Sequence, residues 1–147
     1  MANHIVKSHN KTLLIFHLVC PIKYRRKIFT KEIEITFKNI CLDLGIRYEY
    51  KFLEIGIDEN HTHFLIQIIP NTHISDMVKK IKSITAREMF KTHPEVKRFL
   101  WGGQFWTDGY YLNTVGQYGN LKMLENYVKN QGLEHYKQVH HQTPTLF

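Results

Sequence analysis

The run HTHFLIQII (61–69) narrows the possible folds of this 147-residue chain more than any other stretch. It is dense in β-branched and large apolar residues and is closed by Pro70, which reads as a strand. Alternation divides its side chains between two faces. His61, His63, Leu65 and Gln67 share one face. Thr62, Phe64, Ile66 and Ile68 share the other, where they can pack on helices. The two histidines then stand about 7 Å apart at Cα, close enough to share one cation, and histidine is the commonest metal ligand among side chains. Taken alone, the pair fits two polar residues held by hydrogen bonds at a strand start better than a metal site. Two ligands are not a site. The two cysteines, Cys20 and Cys41, lack CxxC spacing, are too few for a structural zinc centre and read as reduced, mostly buried thiols, and HExxH is absent.

The rest of the chain supplies a frame for that strand. KTLLIFHLVC (11–20), ended by Pro21, is a second strand-like run. A basic connection, KYRRKIF, follows it. Thr30 is an N-cap candidate, Glu32 and Glu34 fit the first turn, and Ile33, Phe37, Ile40, Cys41 and Leu44 recur at helical spacing up to Gly45. IRYEYKFLEIGI (46–57) reads as a strand joined through the turn DEN (58–60) to the histidine strand, making a hairpin. Ser75 caps a second helix with Val78, Ile81 and Met89 on its apolar face and Lys79, Lys80 and Lys82 on the other. HPEVKRFLWGG (93–103) reads as loop, QFWTDGYYLNTVG (104–116) as a fourth strand, and NLKMLENYVKNQG (120–132) as a short helix before a polar tail (133–147). The order β-α-β-β-α-β-α predicts an α+β fold: a ferredoxin-like or RNA-recognition-like antiparallel sheet with two helices on one face, plus a C-terminal helix. A single domain over 1–147 is expected.

The formal charge is +7, with 20 Lys and Arg against 13 Asp and Glu. An excess of this size in a small domain points to a polyanion, most often nucleic acid. No apolar run reaches the roughly 18 residues that span a bilayer, and the first residues lack a signal-peptide core, so a cytoplasmic protein with no membrane partner is expected. In the late helix, Tyr127 and Gln131 lie at i and i+4, on one face. A glutamine carbonyl can ligate a hard divalent cation. A tyrosine hydroxyl, with a free pKa of about 10, needs a neighbouring metal to attack a phosphate at neutral pH. Taken alone, Tyr127 fits packing with Leu124 and Val128 better, and Gln131 a solvated surface position.

Together these features resemble the single-tyrosine HUH transposases, the TnpA type of the smallest bacterial insertion sequences. The resemblance covers nearly the whole chain through FHLVCPIKYRRKIF (16–29), DENHTHFLIQ (58–67), FWTDGYYLNTVG (105–116) and YVKNQ (127–131). Thr62 departs from it, because the family's middle position is usually a larger apolar residue. Thr62 points away from the histidines and stays β-branched. The resemblance implies an enzyme that cuts and rejoins single-stranded DNA at element ends. Tyr127 would be the nucleophile, giving a 5′-phosphotyrosine link, and His61, His63 and Gln131 would hold Mg²⁺ or Mn²⁺. The bond energy is kept in the covalent link, in keeping with the absence of a GxxxxGK phosphate loop. It also implies a bacterial or archaeal, nucleoid-associated protein, and a homodimer with edge-joined sheets in which the tyrosine helix can serve the partner's site. Gly116, Gly119 and Asn120 are hinge candidates. DNA hairpins would be recognised, with Lys23, Arg25, Arg26, Lys27, Lys79, Lys80 and Lys82 as phosphate contacts.

Two other readings compete. A related HUH nuclease acting on host repetitive palindromes would share the catalytic residues. A non-catalytic RNA-recognition-like module would need exposed aromatics on its central strands, where this chain has His61 and His63. An inactive transposase copy is a further alternative; the intact candidate residues argue against it.

Overall fold

A computed structural model of the protein describes residues 3–23, 29–58, 61–100 and 103–115. The elements are β1 (Ile5–Lys7), β2 (Asn10–Thr12), β3 (Leu14–Pro21), α1 (Lys31–Tyr48), β4 (Lys51–Ile57), β5 (His61–Ile68), α2 (Ile74–Thr92), α3 (Pro94–Phe99) and β6 (Tyr111–Val115). The strands β4-β5-β3-β6 form one antiparallel sheet in that spatial order, and β1 and β2 form a separate small hairpin. This is the expected α+β arrangement, with β3 and β5 central. The predicted helix at 120–132, the hinge candidates and the tail lie outside the described residues.

Period-two alternation sorts the sheet. Phe16, Leu18, Cys20, Phe64, Ile66 and Ile68 face the helices and join Ile33, Phe37, Cys41 and Leu44 of α1 and Met77, Val78, Ile81 and Met89 of α2 in one core. On the other face, Ile15 and Leu65 form a smaller cluster with Leu13, Leu53 and Val115. That second face is not open along β5, where His61, His63, Leu65 and Gln67 are all fully buried. Gln67 Nε2 donates to the Asn3 carbonyl at 2.7 Å, tying the N-terminal segment to it. Both cysteines are free and buried. Burial pushes the Cys20 thiol up to about 12, against a smaller opposing effect of Lys82, and pushes Cys41 up as well; neither thiol is poised to react.

Several boundaries differ from the sequence expectation. Thr30 does cap α1, its Oγ1 accepting from Ile33 N at 3.3 Å. The helix runs past Gly45 to Tyr48, and the following strand starts at Lys51 rather than at residue 46. Helix exit falls on Glu49, in the left-handed region at φ 60. Gly45 is instead required by close approach, since a Cβ there would lie 2.3 Å from the Tyr50 carbonyl oxygen. The cap position of α2 is His73, not Ser75, whose hydroxyl contacts His73 Nδ1 at 3.2 Å. The expected loop at 93–103 contains α3, with Pro94 at its first position, Glu95 in its first turn, Lys97 and Arg98 in its last, and Val96 buried. Its single buried residue gives no periodicity to read.

The fourth strand is shorter than the expected 104–116, pairing with β3 only from Tyr111 to Val115. Phe105 and Trp106 are consecutive and both buried, which breaks alternation. Phe105 stacks on Phe37 with centroids 6.4 Å apart, and Trp106 Nε1 donates to Thr85 Oγ1 at 3.0 Å. The loop is pinned further by Thr107 N donating to the Pro21 carbonyl at 3.0 Å.

Gly45→Ala should lower stability by about 1–3 kcal/mol, because a methyl group driven into backbone forces the α1–β4 turn to shift. Ile46→Ala, at an 82% exposed neighbour, should change it by less than about 0.5 kcal/mol. Urea unfolding of the two variants checks this, and equal midpoints would contradict it.

Candidate metal centre

The site is assembled where β5 begins. His61 pairs with Pro21 and His63 with Val19 on β3, while Gly56 of β4 lies opposite His63 from the other side. The two imidazoles do share one face, with ring centroids 4.8 Å apart and planes at 68°. Asp58, just after β4, supplies a third group. Its Oδ2 lies 3.2 Å from His61 Nε2 and 4.0 Å from His63 Nε2. The hairpin connection is held at this point by Asp58 N donating to the His61 carbonyl at 3.0 Å. Thr62 points to the opposite face and donates through Oγ1 to the Cys20 carbonyl at 3.4 Å, so it anchors the strand from behind.

These residues fit a divalent cation. Their three ligand atoms lie within 4.8 Å of one another, and all three atoms are buried. A cation about 2.1–2.3 Å from each would place donors roughly 3 Å apart; the Asp58–His61 pair is already at 3.2 Å, and the wider spacings, up to 4.8 Å, would have to draw in on binding. Two neutral imidazoles and one carboxylate suit Mn²⁺, and Mg²⁺ with more difficulty, because magnesium prefers oxygen.

Sequence reasoning missed two residues here. DEN reads only as a turn, so Asp58 gave no separate signal beyond lying three positions before His61. His17 lies within the apolar run of β3 and is 5% exposed. Its Nε2 is 3.4 Å from His63 Nδ1, and its ring stacks on that of His63 at 5.6 Å and 16°. A histidine inside an otherwise apolar strand was the available sign. Tyr127 and Gln131 lie outside the described residues, as do Arg25, Arg26 and Lys27.

The remaining basic candidates are differently placed. Lys79 is exposed, while Lys23, Lys80 and Lys82 are half-buried. Lys80 Nζ lies 4.5 Å over the Tyr48 ring. Lys82 Nζ donates to the carbonyls of Thr107 at 2.7 Å and Gly109 at 3.1 Å, and burial lowers its pKa against the opposing effects of Cys20 and Asp108. Two of its three donors are thus engaged by the loop. With Lys79 and Tyr110, it lines a groove of about 740 Å³ between α2 and that loop. Since Thr107 is bonded to Pro21 and Pro21 is paired with His61, loop, groove and histidines gather at one end of the sheet.

Fold and site together define an α+β protein of ferredoxin-like order with a candidate His₂Asp cation site on the sheet face away from the helices. The sequence model of the family "Transposase IS200 like" matches residues 10–131, and the chain belongs to that family. It is 30% identical over 118 residues to the ISDra2 transposase TnpA of Deinococcus radiodurans, covering 80% of this chain and 84% of that protein. It is 27% identical over 124 residues to the transposase for insertion sequence element IS200 of Salmonella typhimurium, covering 84% and 80%. A crystal structure of a transposase from D. radiodurans matches with a TM-score of 0.71 at 26% identity, covering 87% of this chain and 98% of that one. A REP-associated tyrosine transposase solved bound to a REP hairpin shares the fold, with a TM-score of 0.59 at 8% identity, covering 84% and 70%. Among the described residues, no helix is long and apolar enough to cross a membrane.

Asp58→Ala should weaken Mn²⁺ binding by about 10-fold or more, and His61→Ala should abolish it at millimolar metal, because each removes a ligand from a three-atom cluster. Isothermal titration of the purified protein reads both; a Asp58→Ala protein that binds as tightly as the parent would exclude the carboxylate from the centre.

Proposed function

We propose that the protein is a metal-dependent, single-tyrosine DNA strand transferase that cuts and rejoins single-stranded DNA at the ends of an insertion sequence. One observation carries the reading: Asp58, His61 and His63 converge within 4.8 Å in a chain that the family model matches through residue 131, a span that includes Tyr127 and ends at Gln131. A bound Mg²⁺ or Mn²⁺ would polarise the scissile phosphate and neutralise developing charge. His61, His63 and Asp58, joined by Gln131, would hold it.

Tyr127 is the proposed nucleophile. Its hydroxyl oxygen forms a bond to phosphorus as the bond from phosphorus to the 3′ oxygen breaks, and the hydroxyl proton passes through solvent to the departing oxygen, leaving a 5′-phosphotyrosine and a free 3′-OH. A 3′-OH then attacks the phosphotyrosine and returns the tyrosine. One phosphoester bond is broken and one made in each step, so no nucleotide hydrolysis is required. Lys23, Arg25, Arg26, Lys27, Lys79 and Lys80 are proposed phosphate contacts. Lys82 contributes mainly by fixing the 107–109 backbone beside the groove. A DNA hairpin is the proposed partner, supported by the hairpin-bound relative of the same fold.

The chain is proposed to be one nuclease domain over 1–147 and to act in the cytoplasm of a bacterium or archaeon, at the nucleoid, as a homodimer with joined sheets and a tyrosine helix able to serve either protomer. Of the two outer strands, β6 is the better junction. The pairing of β4 shifts register between Phe52 and Glu54, and such a bulge blunts an edge.

Incubation with a labelled single strand carrying a hairpin, in Mg²⁺ or Mn²⁺, should give a covalent protein–DNA band. The band should vanish with EDTA and be lost by at least about 1,000-fold in Tyr127→Phe, since no hydroxyl remains to attack. An adduct that persists in Tyr127→Phe would show another nucleophile, and one that persists in EDTA would show a metal-free reaction.

A further inference from the structure

The proposed centre takes one nitrogen from each histidine, and a neutral imidazole has only one lone pair to offer. Whichever ring nitrogen faces a cation, the other carries the proton and needs an acceptor. For His63, Nε2 is the atom turned towards Asp58, so Nδ1 must be the protonated nitrogen when Nε2 serves as ligand. The atom beside Nδ1 is His17 Nε2, at 3.4 Å.

Register makes this neighbour inevitable. Val19 pairs with His63 and His17 with Leu65, so His17 lies one diagonal step from His63 on the same face of the central strand pair, within reach of a long or aromatic side chain. Its ring is parallel to that of His63 within 16°. On its other side Tyr111 of β6 meets it edge-on, with centroids 6.3 Å apart and planes at 77°. The ring is therefore held by two strands and has little freedom to turn away.

We propose that His17 is a positioning residue for the metal centre: its Nε2 accepts the Nδ1–H of His63, which fixes that tautomer and presents His63 Nε2 to the cation. His17 would itself carry its proton on Nδ1 and would not touch the metal. The proposal rests on the metal-centre reading above, and it assigns a function to a buried histidine that a merely packed core position would not need. Outer partners of metal-bound histidines typically change affinity by about 10–100-fold when removed.

The test uses the metal-free full chain and two variants. His17→Phe keeps a stacking ring but cannot accept a hydrogen bond; His17→Gln keeps an acceptor oxygen. With ¹⁵N-labelled histidine at about pH 8, where imidazoles are neutral, long-range ¹H–¹⁵N spectra report each tautomer. His63 should be Nδ1-protonated in the parent and shift towards the Nε2-protonated form in His17→Phe. Mn²⁺ titration should show affinity falling by about 10–100-fold in His17→Phe and less in His17→Gln. An Nε2-protonated His63 in the parent overturns the proposal whether or not the variants fold. So does unchanged Mn²⁺ affinity in a folded His17→Phe, and if His61→Ala still abolishes binding, the metal centre itself survives. If the parent binds no Mn²⁺, the metal reading falls and this role falls with it.

Discussion

The antiparallel pairing of β3 with β5 sets both the packing of the core and the position of the candidate site. Eight residue pairs, from Leu14–Ile68 to Pro21–His61, place one set of alternating side chains under the helices and the other on the far face. A slip of one residue would turn Phe64 and Ile66 out of the core and drive His61 and His63 into it. Burying two imidazoles against apolar helix faces without partners costs several kcal/mol, so core packing and the position of the candidate site are enforced by the same register. Thr62 adds to this from the helix side through its bond to the Cys20 carbonyl.

The helices serve the site indirectly. Thr85 of α2 accepts from Trp106, and Lys82, one turn earlier on the same helix, holds the carbonyls of Thr107 and Gly109. Together they fix a loop that meets β3 at Pro21, directly across from His61. This loop carries buried aromatic residues rather than a regular strand. Its conformation is set by tertiary contacts that strand periodicity does not encode.

What could be read from the sequence follows from this division. The alternation of β5 and the helical spacing of Ile33, Phe37, Cys41 and Leu44 are local signals, and the structure keeps both. Gly45 looked like a helix stop because glycine is common there; its actual reason is the Tyr50 carbonyl, a contact that exists only once β4 has folded back. Phe105 and Trp106 fall in a run of broken alternation that reads as strand from residue 104, whereas both are buried side by side ahead of β6. His61 and His63 were legible as a pair. Asp58 and His17 were not, since one depends on the path of the hairpin turn and the other on cross-strand register. Tyr127 and Gln131 stand out by their i, i+4 spacing, but spacing alone assigns them no role; the roles of nucleophile and metal ligand come only from the family resemblance.

Asp58, His61 and His63 are proposed to hold the divalent cation that the strand-transfer reaction uses. Anomalous diffraction from crystals of the full chain grown with Mn²⁺ would locate that cation. One strong manganese peak is expected about 2.1–2.3 Å from Nε2 of both His61 and His63 and from an Asp58 carboxylate oxygen, with Gln131 completing the set. A manganese peak elsewhere, or none at these histidines at saturating metal, would contradict it.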